Sequence, residues 1–531
     1  MVRSTFAGFT TAQLALSASQ RALDVTGQNI SNINTAGYTR QRLDLASISP
    51  TGHSYFQMQT DCRVGQGVQM TGIIQIRDPF LDIQYRNQLA KVGTIDAQDS
   101  VLSDIGDIFD EVDSEGVRAA LNDVVKQLNN MAKPDGANQG ASDTLVRSAM
   151  EVLLTIIHEK ASDLKNVQTE LIDKLQTTDI ENINSYLDSI SKLNESIKNS
   201  QILGSPALEL QDQRNQLIDE LATYLPISVT YEDLDLGSGI KVDTLKIDFS
   251  YKDANGNTQT LTLVDDVKHG SFEFKANPNA DIAKGEKVGS LSITDVDGTK
   301  VDVTDSLGNG VLKGALDMLN KAGSFDGSDV KGIDYYEELF DSFVNTFATT
   351  LNKLNKEAGG GALFTTLDGK EDGSFTATDI KISDKWMSGE VKIVTTKPED
   401  PNNPNENSTA YENVLAMINA ITTDQLKFTS VHYKDNGQDI IAFEGNCFDA
   451  YDNLQKTQAI ERKSSDSILN NRLSVLNQIA NSKDAVSGVY MDEEVMNLMR
   501  YQQSYNAAAR LMTTLDEALN TLINNTGIVG R

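Results

Sequence analysis

The segment at residues 498–522, LMRYQQSYNAAARLMTTLDEALNTL, has its large side chains at alternating spacings of three and four residues. This spacing is the pattern of a coiled-coil seam. The seam positions are Leu498, Tyr501, Tyr505, Ala508, Met512, Leu515, Leu519 and Leu522. The sequence therefore predicts a C-terminal helix with one apolar face that another helix must cover.

A second seam runs along the N-terminal segment. Its positions are Phe9, Ala12, Leu16, Ser19, Leu23, Thr26, Ile30 and Ile33. Because Ala12 and Ser19 are small, larger side chains from the C-terminal seam could pack closely against this helix. We therefore expect the two ends of the chain to pair, and the apolar residues of both seams to form an assembly interface. The alternative left open is that each seam is the buried face of an ordinary domain helix.

Size and charge narrow the class of protein. The chain has 531 residues, which favours two to four domains. Its 46 basic and 76 acidic side chains give a formal net charge of −30, which repels nucleic acids and anionic membrane surfaces. Aromatic residues make up only 6%, with a single Trp386, so we expect thin cores and an elongated shape.

The sequence predicts neither a membrane-spanning helix nor a cleavable signal peptide. No stretch approaches the roughly 18 consecutive apolar residues of a spanning helix. The N-terminus mixes Ser, Thr and Gln among its apolar residues, so we expect no cleavable signal peptide and export by another route.

Periodicity divides the chain into helical and β segments. Helical spacing dominates residues 4–34 and 95–225, with breaks at 133–140, 204–206 and Pro226. Alternating β-formers then surround the turns Asn255-Gly256 and Asp297-Gly298, which predicts two hairpins. Helix resumes afterwards, so the β region is predicted to be an insert that can be removed.

The expected fold class is mainly α with an inserted β domain, in an elongated multidomain protein. Residues 359–450 give a mixed signal, in which Glu390–Thr395 resembles a strand, and Ser487-Gly488 separates two final helices. The predicted divisions are the N-terminal helix 1–35, a helical domain at 36–228 and 311–358, the β insert 229–310, a mixed segment 359–450 and C-terminal helices 451–531.

Residues 29–41, NISNINTAGYTRQ, combine a helix end with a turn. Asn tolerates left-handed backbone and Gly37 supplies a positive φ, so a helix ending near Ile33 should pass into an extended segment. The segment closely resembles the signature of the bacterial flagellar rod, hook and hook-associated axial proteins. The signature residues here are Asn29, Asn32, Asn34, Gly37, Tyr38 and Arg40.

Four segments resemble the hook-associated members of this family more than its rod or hook proteins. They are Tyr38–Gln41, LELQDQRNQLIDEL at 208–221, the segment 310–319, and SGVYMDEEVMNLMRYQQSYNAAARL at 487–511. The resemblance covers roughly residues 1–226, 311–355 and 451–531. Three alternative functions remain open for the chain: flagellin, hook protein, or a surface adhesin in which the β insert displays the binding surface.

The resemblance implies a structural subunit of the junction between hook and filament, which is required for filament assembly. It implies a ring of identical subunits that contacts the hook protein and a second junction protein. It also implies secretion by the flagellar type III export apparatus to the extracellular flagellum. A cytosolic chaperone is expected to mask the C-terminal helix before export.

Catalysis has little support in the sequence. His53, His158, His269 and His432 lie far apart, and we expect them to be solvated. His158-Glu159 does not continue into the HExxH zinc motif, and the segment at 295–298 lacks the further ligands of a calcium loop. We therefore expect no enzyme activity, no cofactor and no metal. Cys62 and Cys447 are predicted to be free thiols because they are far apart in the sequence.

Overall fold

The chain is described here from a computed structural model. The structure describes residues 5–48, 65–111, 116–133, 139–235, 237, 241–253, 255–371, 374–396, 411–435 and 437–525. The sequence predictions that fall on His53 and Cys62 lie outside these residues.

Helices account for most of the described residues. They are α1 (Thr5–Ser31), α2 (Pro79–Phe109), α3 (Val117–Met131), α4 (Gln139–Lys174), α5 (Ile180–Ile202), α6 (Leu208–Tyr224), α7 (Val311–Asn320), α8 (Ile333–Glu357), α9 (Asp384–Met387), α10 (Glu412–Thr422), α11 (Cys447–Ser487) and α12 (Met491–Asn525). A π-helical turn at Leu175–Asp179 joins α4 to α5.

The strands form small antiparallel sheets. They are β1 (Gln41–Ser47), β2 (Val68–Gln75), β3 (Ser228–Asp235), β4 (Lys241–Lys252), β5 (Thr258–Asp265), β6 (Lys268–His269), β7 (Ser271–Ala276), β8 (Gly289–Thr294), β9 (Lys300–Asp302), β10 (Phe364–Thr366), β11 (Ile380–Ile382), β12 (Leu426–Asp435) and β13 (Gln438–Gly445). The strand orders are β1-β2, β3-β4-β5-β6, β7-β8-β9, β10-β11 and β12-β13.

The two ends of the chain pair as the seams predicted. Helix α1 packs against α12, and the hairpin β1-β2 packs against α1. Helix α1 ends at Ser31 and Gly37 has a φ of 76°, as expected from the signature. Helices α11 and α12 are separated at Gly488, also as expected. The predicted fold class, a helical protein with paired termini and an inserted β region, is confirmed.

Helix α2 packs against several other helices of the helical domain. It contacts α6, α7 and the long helix α11. Asp78 begins it by accepting a hydrogen bond from the backbone N–H of Phe80, and Pro79 fits the first turn because its missing N–H needs no partner there. Two glycines allow these close contacts. A Cβ at Gly93 of α2 would lie 2.5 Å from the Thr223 carbonyl oxygen of α6, and one at Gly314 of α7 would lie 2.3 Å from the Thr94 carbonyl oxygen of α2.

Replacing Gly314 with Ala should lower the free energy of unfolding by about 1–3 kcal/mol, because the added methyl group forces α7 away from α2. Urea unfolding followed by far-UV circular dichroism measures the change. The matched control is Gly27→Ala in α1, where an added Cβ meets no atom within 4 Å. The control should be neutral or slightly stabilising, because Ala favours helix over Gly. Equal free energies for the two variants would contradict this packing.

The inserted strands include both predicted hairpins. Strands β4 and β5 pair around Gly256, and β8 and β9 pair around Gly298. The prediction that this region is separable is wrong, because its strands share one hydrophobic core with the helices. Helix α5 contacts β4, β5 and β7, and the Asn184 side chain bonds both the N–H and the carbonyl oxygen of Phe272, at 2.8 and 3.0 Å. Removing the strands would expose the apolar face of α5.

In the segment that was least clear in the sequence, the described residues form the strand pairs β10-β11 and β12-β13 and the helices α9 and α10. The strand predicted at Glu390–Thr395 is wrong, because this backbone is held by side chains instead of by a neighbouring strand. Asn355 accepts from the N–H of Val394 at 2.9 Å and donates to the carbonyl oxygen of Lys392 at 3.2 Å. Asp143 accepts from the N–H of Ile393 at 2.9 Å.

Candidate assembly interface

The pairing of α1 with α12 is antiparallel. The Leu515 side chain lies over Gly8, where an added Cβ would be 3.2 Å from Leu515 Cδ1. At the other end of the pair, Asn29 Nδ2 donates to Glu494 Oε2 at 3.2 Å. Gly8 and Asn29 are as far apart in the sequence as Glu494 and Leu515, so one register holds along the pair.

On α1 the most deeply buried positions are small or polar. They are Ala12, Ala18, Ser19, Ala22, Val25, Thr26 and Asn29. The larger seam residues are only half-buried, namely Phe9, Leu16, Leu23, Ile30 and Ile33. Small side chains therefore allow close approach of the helices, as the sequence indicated, while the larger ones keep part of their apolar surface uncovered.

The C-terminal seam is covered over most of its length. Ala508 is buried, and half-buried side chains flank it at Leu498, Tyr501, Tyr505, Met512, Leu515 and Leu519. Leu522 is 52% exposed.

Helix α12 carries a second apolar strip that the seam analysis missed. Val495, Met496 and Met499 are exposed, the latter two by 60% and 50%, and Leu511 is exposed further along. Val495 and Met496 precede Met499 by four and three residues, a spacing that is readable in the sequence, whereas Leu511 lies twelve residues after Met499. A helix with apolar residues on two faces is suited to contacts on both sides. We name these four residues the methionine strip.

The signature residue Asn29 organises the base of the helix pair. Its Oδ1 accepts hydrogen bonds from the Gln41 N–H at 3.0 Å and the Tyr38 hydroxyl at 2.9 Å. Its Nδ2 donates to the Gln41 carbonyl oxygen at 2.9 Å, in addition to Glu494. Asn29 is buried, and its bonds to Gln41 and Glu494 are shielded from water, while the bond from Tyr38 is part-buried. This cluster, which we call the signature node, fixes the turn after α1 to the start of α12.

Arg40 joins the signature node to the turn between α11 and α12. Its guanidinium forms ion pairs with Glu493 at 2.6 Å and with the buried Glu494 at 2.9 Å. Its backbone N–H donates to the Ser487 carbonyl oxygen at 2.9 Å. Burial, with the nearby Glu209, Asp212 and Glu494, raises the pKa of Tyr38, so its hydroxyl remains a neutral donor.

The Asp-Gln-Arg segment, residues 212–214 of α6, forms hydrogen bonds that connect the signature node to the rest of the helical domain. Asp212 accepts from the Thr39 N–H at 3.0 Å and from Gln75 Nε2 at 2.9 Å. Arg214 is fully buried, donates to Asn194 at 2.9 Å and lies over the Tyr231 ring at 5.4 Å. These residues therefore have structural contacts, which connect the signature to α6, α5 and the inserted strands.

The remaining signature residues have local roles. Asn32 Nδ2 donates to the Gln28 carbonyl oxygen at 3.0 Å, within the end of α1. Asn34 and Gly37 are exposed in the turn, where the positive φ of Gly37 suits a residue without a Cβ. The structure brings Asn29, Tyr38 and Arg40 together, but not these three.

A charged cluster that the sequence did not indicate lies below the node. Lys483 near the end of α11 pairs with Asp219 at 2.9 Å and Asp82 at 3.2 Å. Arg86 pairs with Asp219 at 2.6 Å, and Arg77 pairs with Asp82 at 2.5 Å. These residues come from α2, α6, α11 and the segment before α2, and no local motif links them in the sequence.

The described histidines do not form a catalytic group. His158 bonds the Ile380 carbonyl oxygen at 2.8 Å, and His269 bonds that of Gly270 at 2.9 Å. The prediction that the histidines are solvated is wrong for the half-buried His158, whereas His269 and His432 are exposed, and His432 also pairs with Glu338. Within the described ranges, no group of three or more His, Cys, Asp or Glu side chains could hold a metal ion.

Cys447 is a buried free thiol, and burial raises its pKa to about 12. The prediction of a free thiol is therefore confirmed at this position.

None of the described helices is both long enough and apolar enough to cross a lipid bilayer.

Comparison with known families identifies the class of protein first. Residues 9–39 match the family described as flagella basal body rod protein, and residues 485–525 match the flagellar basal body rod FlgEFG protein C-terminal family. These ranges contain nearly all of α1 and α12, so the paired ends are those of a flagellar axial protein.

The particular family follows from the body. Residues 102–374 match the helical domain of flagellar hook-associated protein FlgK. The chain is 30% identical to flagellar hook-associated protein 1 of Bacillus subtilis strain 168, over 99% of this chain and 100% of that protein. It is 24% identical to the protein of the same name from Escherichia coli K12, over 97% of this chain and 98% of that protein. The chain belongs to the FlgK family and is a structural protein of the flagellum.

One solved structure is similar over part of the chain. The flagellar hook junction protein FlgK from Burkholderia pseudomallei matches with a TM-score of 0.40 and 17% identity. The match covers 54% of this chain and 46% of that one.

Proposed function

We propose that this chain is one subunit of a ring at the junction between hook and filament, where it provides the surface on which the filament assembles. The observation that carries the proposal is the incomplete burial of the paired terminal helices. Large seam residues of α1 are half-buried, and the methionine strip of α12 is exposed. Burial of this apolar surface against neighbouring subunits would stabilise an assembly.

The proposed interface comprises the seam residues of both helices: Phe9, Leu16, Leu23, Ile30, Ile33, Leu498, Tyr501, Tyr505, Met512, Leu515, Leu519 and Leu522. The two faces of α12 differ, so contact between like subunits is heterologous and can close into a ring. Hook protein on one side and a second junction protein on the other are the proposed neighbours in the axial direction.

The domain divisions expected from the sequence fit this role. Residues 1–35 and 451–531 would supply the polymer core, while 36–228, 229–310, 311–358 and 359–450 would form the body attached to it. The net charge of −30 favours solubility of the free subunit and disfavours contact with nucleic acid or anionic membranes. The role is structural and requires no catalysis, cofactor or metal.

The route to this position is also proposed. The subunit would leave the cell through the flagellar type III export apparatus, without a cleaved signal peptide, and would act in the extracellular flagellum. Before export, another protein would have to cover the exposed methionine strip. Without that protein the strip would bind unrelated apolar surfaces, because Met side chains are flexible. A cytosolic chaperone on the C-terminal helix would supply that cover.

Electron microscopy of cells that lack this chain tests the proposal. We expect intact hooks without filaments, and filaments restored when the chain is expressed again. Normal filaments in the deletion strain would overturn the junction role. Loss of attachment to surfaces with normal filaments would favour the adhesin alternative.

A further inference from the structure

The hairpin β12-β13 contains a break in its ladder of strand pairs. Thr429 pairs with Ile441, and the next pairs are Lys434 with Asp439 and Asp435 with Gln438. The register shifts between Thr429 and Lys434. The backbone groups of residues 430–433 therefore need partners other than β13, and the Tyr433 N–H donates to the Ser430 hydroxyl at 2.8 Å.

Glu338 of α8 fills this break. Its carboxylate accepts hydrogen bonds from the Ser430 hydroxyl at 2.6 Å, the Val431 N–H and the His432 N–H at 3.1 Å. It also contacts His432 Nδ1 at 2.8 Å. The Glu338 side chain is only 2% exposed, so these bonds replace water almost completely. One carboxylate thus takes the place of a strand partner for the middle of β12.

Three more carboxylates lie on the same face of α8. Asp334 and Asp341 stand four residues before and three residues after Glu338, and Glu337 is its neighbour in the sequence. Asp334 accepts from the Tyr433 hydroxyl, and Asp341 accepts from the Ala377 N–H at 2.6 Å.

Among the described residues of β12, His432 places its imidazole against this face at Glu338, with 47% of the side chain exposed to solvent. Lys165 of α4 acts on Glu337 from the other side. Asp326 and Asp281, in neighbouring loops, add negative charge near Asp334 and His432. The His432 imidazole contacts Glu338 directly and lies near Asp334, Glu337 and Asp341, so the charge balance of the contact depends on protons.

We propose that the contact between α8 and β12 is a proton-controlled latch, which holds the hairpin on the helix while His432 is protonated and loosens as protons are lost. Strand β13 leads directly to Cys447, where α11 begins. Loosening the hairpin would therefore weaken the attachment of the N-terminal end of α11. The latch is independent of the junction role proposed above, because it lies in the body of the subunit.

The directions of the pKa shifts agree with the geometry. Burial raises the pKa of Asp334 to about 6, that of Glu337 to about 7 and that of Asp341 to about 8. The hydrogen bond with Glu338 raises the pKa of His432 to about 9. For Glu338, burial favours a higher pKa, but the bonds from His432 and Ser430 outweigh it and lower the pKa.

These shifts set the direction of the pH dependence. A group whose pKa is higher in the folded state binds its proton more tightly there, so its stabilising contribution is present at low pH. That contribution is lost as pH rises through the folded pKa. Asp334, Glu337, Asp341 and His432 all act in this sense, so the latch should weaken between about pH 6 and pH 9.

Amide hydrogen exchange of the full chain tests the latch. The protection factors of the Val431 and His432 amides, which correct for base-catalysed exchange, should fall by about tenfold or more between pH 7 and pH 10. Amides of β4 serve as an internal reference for opening of the whole molecule. They should change much less.

His432→Gln should give low protection at both pH values, because it removes the imidazolium. The matched control His269→Gln, on strand β6, should keep the pH dependence of the native chain. Constant protection of Val431 in the native chain from pH 7 to pH 10 would overturn the latch. An unchanged pH dependence in the His432→Gln variant would also overturn it. The measurement on the native chain decides the question even if the variant does not fold.

Discussion

Cells that express only the Leu515→Asp variant should secrete the subunit but fail to retain it on hooks, and should therefore not swim. Leu515 lies over Gly8 near one end of the α1–α12 pair, and it is half-buried before any neighbour is added. Burying a leucine contributes about 1.5–3 kcal/mol, and an unpaired carboxylate in its place adds a desolvation penalty of similar size or larger. The loss recurs in every subunit, so the expected effect on a ring is large.

Secreted subunit, hook-bound subunit and swimming are the three quantities to measure. Leu515→Met is the matched control, because it keeps an apolar side chain of similar volume and should retain assembly. The emission of the single Trp386, which is fully buried in the body, should be the same in both variants. Lower secretion of the Asp variant would indicate that the export chaperone also contacts Leu515. Normal swimming by the Asp variant would show that the seam does not contribute to assembly.

The second large effect is expected for Asn29→Ala in the signature node. The substitution removes three buried hydrogen bonds and one part-buried bond, and it leaves both backbone polar groups of Gln41 without their side-chain partner. Each unsatisfied buried group costs about 1–3 kcal/mol, so we expect a loss of roughly 2–5 kcal/mol in the coupling of α1 to α12. Hydrogen exchange of α1 should accelerate and hook-bound subunit should decrease.

Asn32→Ala is the matched control for the node. It is the same substitution three positions later in the same signature, but Asn32 bonds only Gln28 and Thr35 near the helix end. The control should leave exchange in α1 and retention on hooks close to the native values. If both variants behave alike, the hydrogen bonds of the node do not couple the terminal helices.

The sequence was sufficient for the features that depend on local pattern. Spacings of three and four residues located α1 and α12, and Asn255-Gly256 located a hairpin, because these signals lie within one element. The seam positions from Leu498 to Leu519 are the partly covered face of α12. The family followed from short segments whose residue types are specific, and it is confirmed by the comparisons.

The features that the sequence did not predict depend on residues far apart in the chain. Lys483 meets Asp82 and Asp219 only because α11 runs beside α2 and α6. The strand expected at Glu390–Thr395 was wrong because Asn355 and Asp143 satisfy its backbone, and no local pattern encodes that contact. The separable insert was wrong for the same reason, since the contact of α5 with the strands is set by tertiary packing.

The bond between Asn29 and Glu494 also bears on the order in which the subunit matures. The two residues are 465 positions apart, so a chain that emerges N-terminus first exposes Asn29 long before its partner arrives. Most contacts of the body join residues between these two positions, and they can form earlier. Loop closure is slow for distant residues when the intervening chain is unfolded, but a folded body brings the ends together. The surface that would bind neighbouring subunits is therefore completed last, and this timing by itself delays polymerisation until the rest of the subunit has folded.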